Sequence, residues 1–366
     1  MRQSDDQVEV TTHRTRGWRL IFFLPYFIGF ATLALGQTSS APEATSRAVG
    51  AALQGDANAA VKILSAVPAQ AFAGDDLKFR ACMIARFGPA ASASLDSASG
   101  DVWIDALTRR YLQYWQRALT NPAARTEAEN ELRTGLGNFL GRAIKDDEDL
   151  DKAEDTIQQE ARKRGFYLLL GRTAPLREFM VWKKVTVETR NVQLPEGPYA
   201  VKVHFLDDFV LRGWGYYATC GRRSAGGWAT DEGLFAVVPA YKSLSDETFS
   251  VRFLAHETQH FADKARFGKL ESWELEYRAK LVELALAEIS QASTLELMCE
   301  NRSERKDSSH AYANMLVVRN LNQRLGNEDA AVCGPKPPAP ETIRRTAQDL
   351  LREDSERRQK PDGRKN

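Results

Sequence analysis

The chain has 366 residues, of which 43% are hydrophobic and 27% are charged, and its formal net charge is +1. This length allows one large domain or two ordinary ones, and the apolar fraction is sufficient for a hydrophobic core. Nucleic-acid-binding proteins usually carry a basic excess, so the near-neutral charge argues against nucleic acid as a partner.

The first 36 residues combine a basic segment with an apolar one. Three arginines precede the apolar run 20–36, which ends in the small-x-small triplet Ala34-Leu35-Gly36. This pattern is typical of a secretory signal cleaved before Gln37, and a retained N-terminal membrane anchor is the alternative. Pro25 interrupts the run, which is also short for a full span. In either case the positive-inside rule predicts an exported protein, periplasmic or secreted.

Four cysteines also fit an oxidising compartment, where they could form two disulfides in three possible connectivities. They are Cys82, Cys220, Cys299 and Cys333. Proximity in sequence favours the pair Cys299–Cys333, and free buried thiols are the alternative. No Cys-x-x-Cys pair occurs in the sequence, so a zinc site built from thiolates is not expected.

Residues 38–175 are rich in alanine, leucine and arginine and predict a helical domain. Apolar residues recur at helical spacing in five segments, separated by Gly or Pro. The predicted helices are 51–64, 77–87, 102–119, 125–140 and 150–165. No fixed repeat period is present, which favours a plain helical bundle over a solenoid.

The pattern changes near residue 178, where a second domain, 178–333, is predicted to begin. Strand-like segments appear at 179–182, 184–189, 199–206 and 233–238, with a turn at 194–198. Helices follow, so we expect an α+β fold with a small mixed sheet. The tail 334–366 starts with several prolines and ends in dense charge, which predicts a surface extension with at most one helix.

Residues 256–260 read His-Glu-Thr-Gln-His and use two of the five histidines of the chain. On a helix, residues i and i+4 share a face, so His256 and His260 can bind one Zn²⁺ while Glu257 reaches a nearby water. Ser245 is the predicted N-cap of this helix, and Gly268 stands where it should stop. The pattern therefore predicts a zinc site with Glu257 as general base.

A hydrolytic zinc site needs three protein ligands and an open position for water. Glu276 lies sixteen residues after His260, on the next predicted helix, 272–290. The run Glu276-Tyr277-Arg278-Ala279 has the form Glu-x-x-Ala, and together with the His-Glu-x-x-His motif it resembles the gluzincin metallopeptidases over residues 230–290. The resemblance implies a zincin-like catalytic domain in which His256, His260 and Glu276 bind zinc.

Other residues compete for these roles. Glu271, Glu274 and Glu283 are alternative third ligands, and Glu276 could instead form a surface pair with Lys280. Ala279 and Ala287 flank the helix face that carries Glu276. Their small side chains would let this helix approach the active-site helix, which favours Glu276 as the third ligand.

Several further side chains are candidates near the site. His310 is the first candidate to stabilise the charged intermediate, followed by Tyr312 and Arg278. Asp263 is expected either to orient an imidazole or to pair with Lys264 or Arg266. His204, inside an alternating strand, is expected to be structural, and His13 lies in the signal region.

The strand 233–238 is expected to line the cleft, with a free edge for an extended peptide. Gly226, Gly227 and Trp228 are expected either to form a mobile rim or to belong to an ordinary turn and the core.

The predicted function is that of an exported zinc-dependent metallopeptidase acting on a peptide or protein substrate. Contact with a membrane is expected only through an uncleaved N-terminal anchor. The alternative is a non-catalytic envelope binding or scaffold protein with a helical interaction domain and a structural or vestigial metal site.

Overall fold

The computed structural model describes residues 40–89, 99–325 and 332–359. The predicted signal or anchor at 1–36 lies outside these residues, as does the end of the tail beyond residue 359. Within the described ranges, no helix is both long enough and apolar enough to cross a membrane.

Between Ala41 and Lys163 the described residues form six α-helices, and short polar side chains begin several of them. Asp101 accepts hydrogen bonds from the backbone N–H groups of Trp103 and Ile104 at the start of the fourth helix, which satisfies donors that have no partner within the helix. The helices are α1 Ala41–Leu53, α2 Ala57–Ser65, α3 Gly74–Phe87, α4 Val102–Thr120, α5 Arg125–Leu140 and α6 Asp147–Lys163.

The single helix predicted at 51–64 is wrong, because the chain breaks there. Gly55 adopts a φ of +80° after α1, a conformation that favours glycine. The carboxylate of Asp56 then accepts a hydrogen bond from the Ala59 N–H and starts α2. A helix stop followed at once by a helix start therefore divides the segment.

The helical segment and the first strands share one hydrophobic core. The ring of Tyr111 on α4 stacks on Phe179 with centroids 4.3 Å apart, and the Trp115 indole N–H donates to the Arg177 carbonyl. A disulfide joins Cys82 on α3 to Cys220. This core spans residues on both sides of the boundary near residue 178, and the division into two domains stays a prediction.

A mixed five-stranded sheet follows, so the predicted α+β class is confirmed. The strand order is β1-β2-β3-β5-β4, with β3 and β5 parallel and the other neighbours antiparallel. The short helix α7, Gly213–Ala218, links the third and fourth strands. The strands are β1 Tyr167–Thr173, β2 Leu176–Leu194, β3 Gly197–Arg212, β4 Gly227–Thr230 and β5 Gly233–Val237.

The strand predicted at 233–238 exists as β5, but its expected free edge does not. On one side β5 pairs with β3, from Leu234 opposite Val203 to Val237 opposite Leu206. On the other side it pairs with β4. The edge strand on this side of the sheet is therefore β4, which the sequence patterns did not predict as a strand.

The second core lies between the sheet and a group of helices, and its central element is α10. The helices are α8 Glu247–Phe249, a π-helical turn Ser250–Ala255, α9 His256–Phe267, α10 Ser272–Leu286, α11 Gln291–Glu300, α12 Ser309–Arg324 and α13 Pro340–Gln359. Every residue from Glu276 to Ala285 on α10 is buried. Charged residues in the middle of this helix therefore face protein on all sides.

The C-terminal segment is more than a surface extension. Helix α13 buries Ile343, Ala347 and Leu351 in the same core as α10, so the prediction of a surface tail is wrong for Pro340–Gln359. The predicted disulfide Cys299–Cys333 is confirmed. Together with Cys82–Cys220, this disulfide indicates an oxidising, exported environment, since such bonds persist outside the reducing cytosol.

Candidate metal centre

The helix that carries the His-Glu-x-x-His motif is anchored between the sheet and α10. Ser245 is not its N-cap. Asp246 occupies that position, and its carbonyl accepts from the N–H groups of Phe249 and Ser250. A π-helical turn, Ser250–Ala255, leads directly into His256, and π-helical turns are common at functional sites. The helix ends at Gly268, where φ is +72°, as predicted.

Gly226 and Gly227, at the start of β4, allow Tyr241 and the π-helical turn to approach the sheet closely. A β-carbon at Gly227 would lie 2.5 Å from Cζ of Phe253, on the π-helical turn. A β-carbon at Gly226 would lie 2.6 Å from the Tyr241 hydroxyl. Trp228 is 3% exposed and stacks on Phe235. This segment is therefore packed core rather than a mobile rim.

The motif side chains converge on one point inside the protein. His256, Glu257 and His260 are all buried, and one ligand atom from each lies within 4.8 Å of the others. The two imidazole rings have centroids 4.8 Å apart. The one-turn spacing predicted from the sequence therefore gives a compact group of nitrogen and oxygen donors.

Glu276 on α10 meets both histidines. Its Oε2 lies 3.3 Å from Nε2 of His256, and its Oε1 lies 3.5 Å from Nε2 of His260. Burial opposes the charged form of Glu276, but His310, His256 and His260 together lower the pKa of this carboxyl well below its ordinary value. Glu276 is thus a buried carboxylate facing the same ring nitrogens that a metal would use.

Glu283 contacts the other nitrogen of His256. Its Oε1 lies 2.6 Å from Nδ1 of His256 and 3.1 Å from Nζ of Lys280. Burial lowers the pKa of His256, but Glu276 and Glu283 raise it above its ordinary value overall. A carboxylate that accepts a hydrogen bond from Nδ1–H fixes the tautomer in which Nε2 can bind a metal. Sequence reasoning considered Glu283 only as a competing ligand.

Glu257 is the least satisfied polar group of the site. Among the described residues, neither of its carboxylate oxygens has a hydrogen-bond partner, although the side chain is completely buried. Burial raises the pKa of Glu257, while the nearby His260 and His256 lower it. A buried carboxylate without a partner is costly, so this position favours a cation or a water molecule beside it.

His310 joins the group from α12. Its Nδ1 lies 2.8 Å from Oε2 of Glu276, and its side chain is 45% exposed. It is therefore at the mouth of the group, in contact both with solvent and with a buried carboxylate. Tyr312, a second sequence candidate, instead contacts Trp273 edge-to-face, with ring centroids 5.4 Å apart.

Arg278, the third candidate donor, has a different environment. Its guanidinium is fully buried and lies 2.9 Å from Asp263, 2.6 Å from Glu196 and 2.9 Å from Asp354. Burial lowers the pKa of Arg278, but these carboxylates raise it overall, with Asp263 contributing most. Three carboxylates surround the guanidinium, so Arg278 joins α10 to the rest of the fold instead of serving a reacting oxygen.

Asp263 follows neither of its predicted roles. Its Oδ1 accepts from Nε2 of Gln259 at 2.7 Å and pairs with Arg278. Both expectations, the imidazole contact and the pair with Lys264 or Arg266, are therefore wrong. The long side chain of Arg278 reaches Asp263 from the facing helix. Local sequence spacing cannot reveal such a contact.

The other alternative ligands lie away from the centre. Glu271 and Glu274 form the capping box that starts α10, and Glu274 also binds Arg358. His204 is buried on β3 and stacks on Phe235 with centroids 4.4 Å apart, which agrees with a structural role.

Sequence reasoning missed the role of Glu283 and the π-helical turn. One signal was present, because Glu283 follows Glu276 by seven residues and therefore lies on the same face of α10. The π-helical turn has no comparable signature in the sequence.

Comparison of the chain with protein-family models, with curated proteins and with solved structures gives no significant match. The function of the protein is therefore inferred from the geometry and the chemistry of these residues.

Proposed function

We propose that the protein is a zinc-dependent hydrolase, most specifically a metallopeptidase of the gluzincin type. The observation that carries the proposal is the buried convergence of His256, His260 and Glu276 beside the unsatisfied carboxylate of Glu257. In the same proposal, residues 178–333 form a zincin-like catalytic domain, in which β5 precedes the active-site helix and α10 supplies the third ligand.

The donor set fits a zinc ion. Two imidazole nitrogens and one carboxylate are a known combination for hydrolytic zinc, which keeps a further position open. Three carboxylates, Glu257, Glu276 and Glu283, surround the imidazoles. This concentration of buried negative charge favours a divalent cation. Glu283 supplies the support for His256 that metal-binding histidines usually have.

Each residue then has a defined task. Zinc, when bound, would supply Lewis-acid polarisation of a carbonyl and would make a water molecule more acidic. Glu257 accepts the proton of the attacking water and afterwards delivers it to the leaving amine. The burial that raises the pKa of Glu257 makes it a stronger base than an exposed glutamate. His310, at the exposed mouth, donates a hydrogen bond to the charge that develops on the substrate oxygen.

A peptide is the proposed substrate class. The edge strand β4 contacts the π-helical turn before His256 through Gly227 and Phe253. An extended chain that pairs with this edge would run alongside the motif helix, since strand addition uses the free backbone groups of an edge. The two disulfides support the further proposal that the protein acts outside the cytoplasm.

The direct test compares the wild type with Glu257→Gln. Purified protein is analysed for bound zinc and then incubated with a mixed peptide library, whose products are identified by mass spectrometry. We expect one zinc per chain in both proteins, and a loss of about 10²–10⁴-fold in hydrolysis for the variant, because only the base is removed. Glu288→Gln, at an exposed position just beyond the end of α10, is the matched control and should retain activity.

The outcomes separate the two functional classes. Absence of stoichiometric zinc at neutral pH would falsify the metal site itself. Zinc binding without cleavage of any peptide by the wild type would favour the alternative, a binding or scaffold protein with a structural metal. Full activity of Glu257→Gln would remove Glu257 from the mechanism.

A further inference from the structure

An aromatic corner lies between α10 and α12, the two helices that carry Glu276 and His310. Trp273 on α10 and Tyr312 on α12 meet edge-to-face, with ring centroids 5.4 Å apart and an interplanar angle of 88°. Trp273 lies one helical turn before Glu276, about 4.5 Å along the axis, and Tyr312 lies two residues after His310. The two rings therefore belong to the helices that carry Glu276 and His310.

A cation of the protein itself occupies this corner. The ammonium nitrogen of Lys306 lies 5.2 Å from the centroid of the Trp273 ring and 5.9 Å from that of Tyr312. Both distances are within the range in which an aromatic face attracts a cation. Trp273 is the stronger partner, because indole has the most electron-rich face among the aromatic side chains.

A cationic group from solvent could displace the Lys306 ammonium from the two rings. Lys306 is exposed and belongs to the loop between α11 and α12. Its neighbour Arg305 pairs with Asp307 inside the loop, and Arg302 donates to the Cys299 carbonyl, whereas the Lys306 ammonium lies against the rings. Trp273 and Tyr312 are each only partly buried, so a group from solvent can reach the same faces. An exposed cation–π contact is also weak enough to be replaced.

We infer that the Trp273–Tyr312 corner is a subsite for a cationic side chain of the substrate, and that Lys306 fills it when no substrate is bound. The ligand class is a lysine or arginine side chain close to the bond that is cleaved. This inference rests on the proposed peptidase function. It adds a preference for basic peptides, which the metal ligands themselves do not define.

The test uses zinc-loaded protein and peptides that differ at one position, where lysine is replaced by the neutral isostere norleucine. The lysine or norleucine is placed in turn at each of the three positions on either side of the cleaved bond. At one position we expect a kcat/KM for lysine about twofold to fivefold above that for norleucine, the range that an exposed cation–π contact provides. Trp273→Leu should reduce the ratio to about one, and Lys306→Ala should increase it by removing the internal competitor.

Matched controls are available elsewhere in the chain. Trp103 on α4 is also a half-buried indole beneath a cation, with Arg164 at 5.2 Å, and Trp103→Leu should leave the ratio unchanged. Lys184→Ala, which removes an exposed lysine of β2, should do the same. A wild type that cleaves both peptides equally well at every position would overturn the subsite while leaving the hydrolase intact.

A second measurement keeps the two proposals separate. Lys306→Ala is titrated with Nα-acetyl-lysine amide and observed through the indole N–H signals in a ¹H–¹⁵N spectrum, where the Trp273 signal is identified by its loss in Trp273→Leu. A saturable shift of this signal supports the subsite even if no peptide is cleaved, in which case only the hydrolase proposal fails. The absence of a shift contradicts the subsite.

Discussion

The Nδ1 atom of His256 lies 2.6 Å from Oε1 of Glu283, while Nε2 of the same ring faces Glu276 at 3.3 Å. The imidazole is therefore held from one side by a carboxylate of α10 and presents its other nitrogen to the candidate metal position. This arrangement orients the ring before any metal binds, and it makes Glu283 a positioning residue.

Removal of this carboxylate should weaken metal binding. We expect Glu283→Ala to reduce zinc affinity about 10- to 100-fold, and Glu283→Gln, which keeps an oxygen near Nδ1, to cause a smaller loss. A competition titration with a zinc-chelating dye measures the affinity, and circular dichroism checks that each variant is folded. Glu288→Ala serves as the control. Unchanged affinity in a folded Glu283→Ala would show that the ring needs no such support.

Zinc should stabilise the folded chain. A ligand that binds only the native state adds about 2.7 kcal/mol at a concentration of one hundred times its Kd, so chelation should lower Tm and added zinc should restore it. Magnesium should not, since it prefers oxygen ligands and octahedral geometry. His260→Ala should show no response to zinc at the same concentration. A zinc effect of equal size in this variant would locate the ion elsewhere.

Glu178 should make stability depend on pH. Its carboxyl is completely buried, and burial raises its pKa to about 7 from 4.5, although Trp214 and Phe179 donate backbone hydrogen bonds to it. Between pH 4.5 and 7 the folded state therefore binds the extra proton, and stability decreases as pH rises through this window.

The measurement is the free energy of unfolding in urea at pH 5 and at pH 7.5, for the wild type and for Glu178→Gln. From pH 5 to pH 7.5, the free energy of unfolding of the wild type should fall by roughly 1–3 kcal/mol relative to that of Glu178→Gln. Glu188→Gln, at an exposed position of β2, should show no such trend. A pH-independent difference would mean that Glu178 does not titrate in this range.

Asp354 should stabilise the site through Arg278. This aspartate is 4% exposed and lies 2.9 Å from the buried guanidinium. Removal of one partner leaves part of a buried charge uncompensated, so we expect Asp354→Ala to cost about 2–4 kcal/mol in urea unfolding. Asp349→Ala, which removes a more exposed partner of Arg352 on the same helix, should cost about 0.5 kcal/mol or less. Equal losses would mean that Asp263 and Glu196 suffice for Arg278.

Local patterns predicted the elements that depend on neighbouring residues. The turn at 194–198, the strand that became β5 and the stop at Gly268 follow from turn chemistry and alternation, and all are present. The break at Gly55 was missed because the apolar spacing continues across it. The burial of α13 was not predicted, because its sequence is dominated by charged residues. Its apolar residues form only a narrow face, which packs on α10.

By itself, the sequence determined the one-turn spacing of His256 and His260, the adjacent Glu257 and the supply of carboxylates on the following helix. These features depend only on helical geometry, which brings residues four apart onto one face. The tertiary structure decided which carboxylate faces the candidate metal position and which one orients His256. Packing of α10 against α9 turns Glu276 toward both Nε2 atoms and Glu283 toward Nδ1 of His256. Such choices depend on the distance and rotation between two helices, which long-range packing sets and local spacing does not encode.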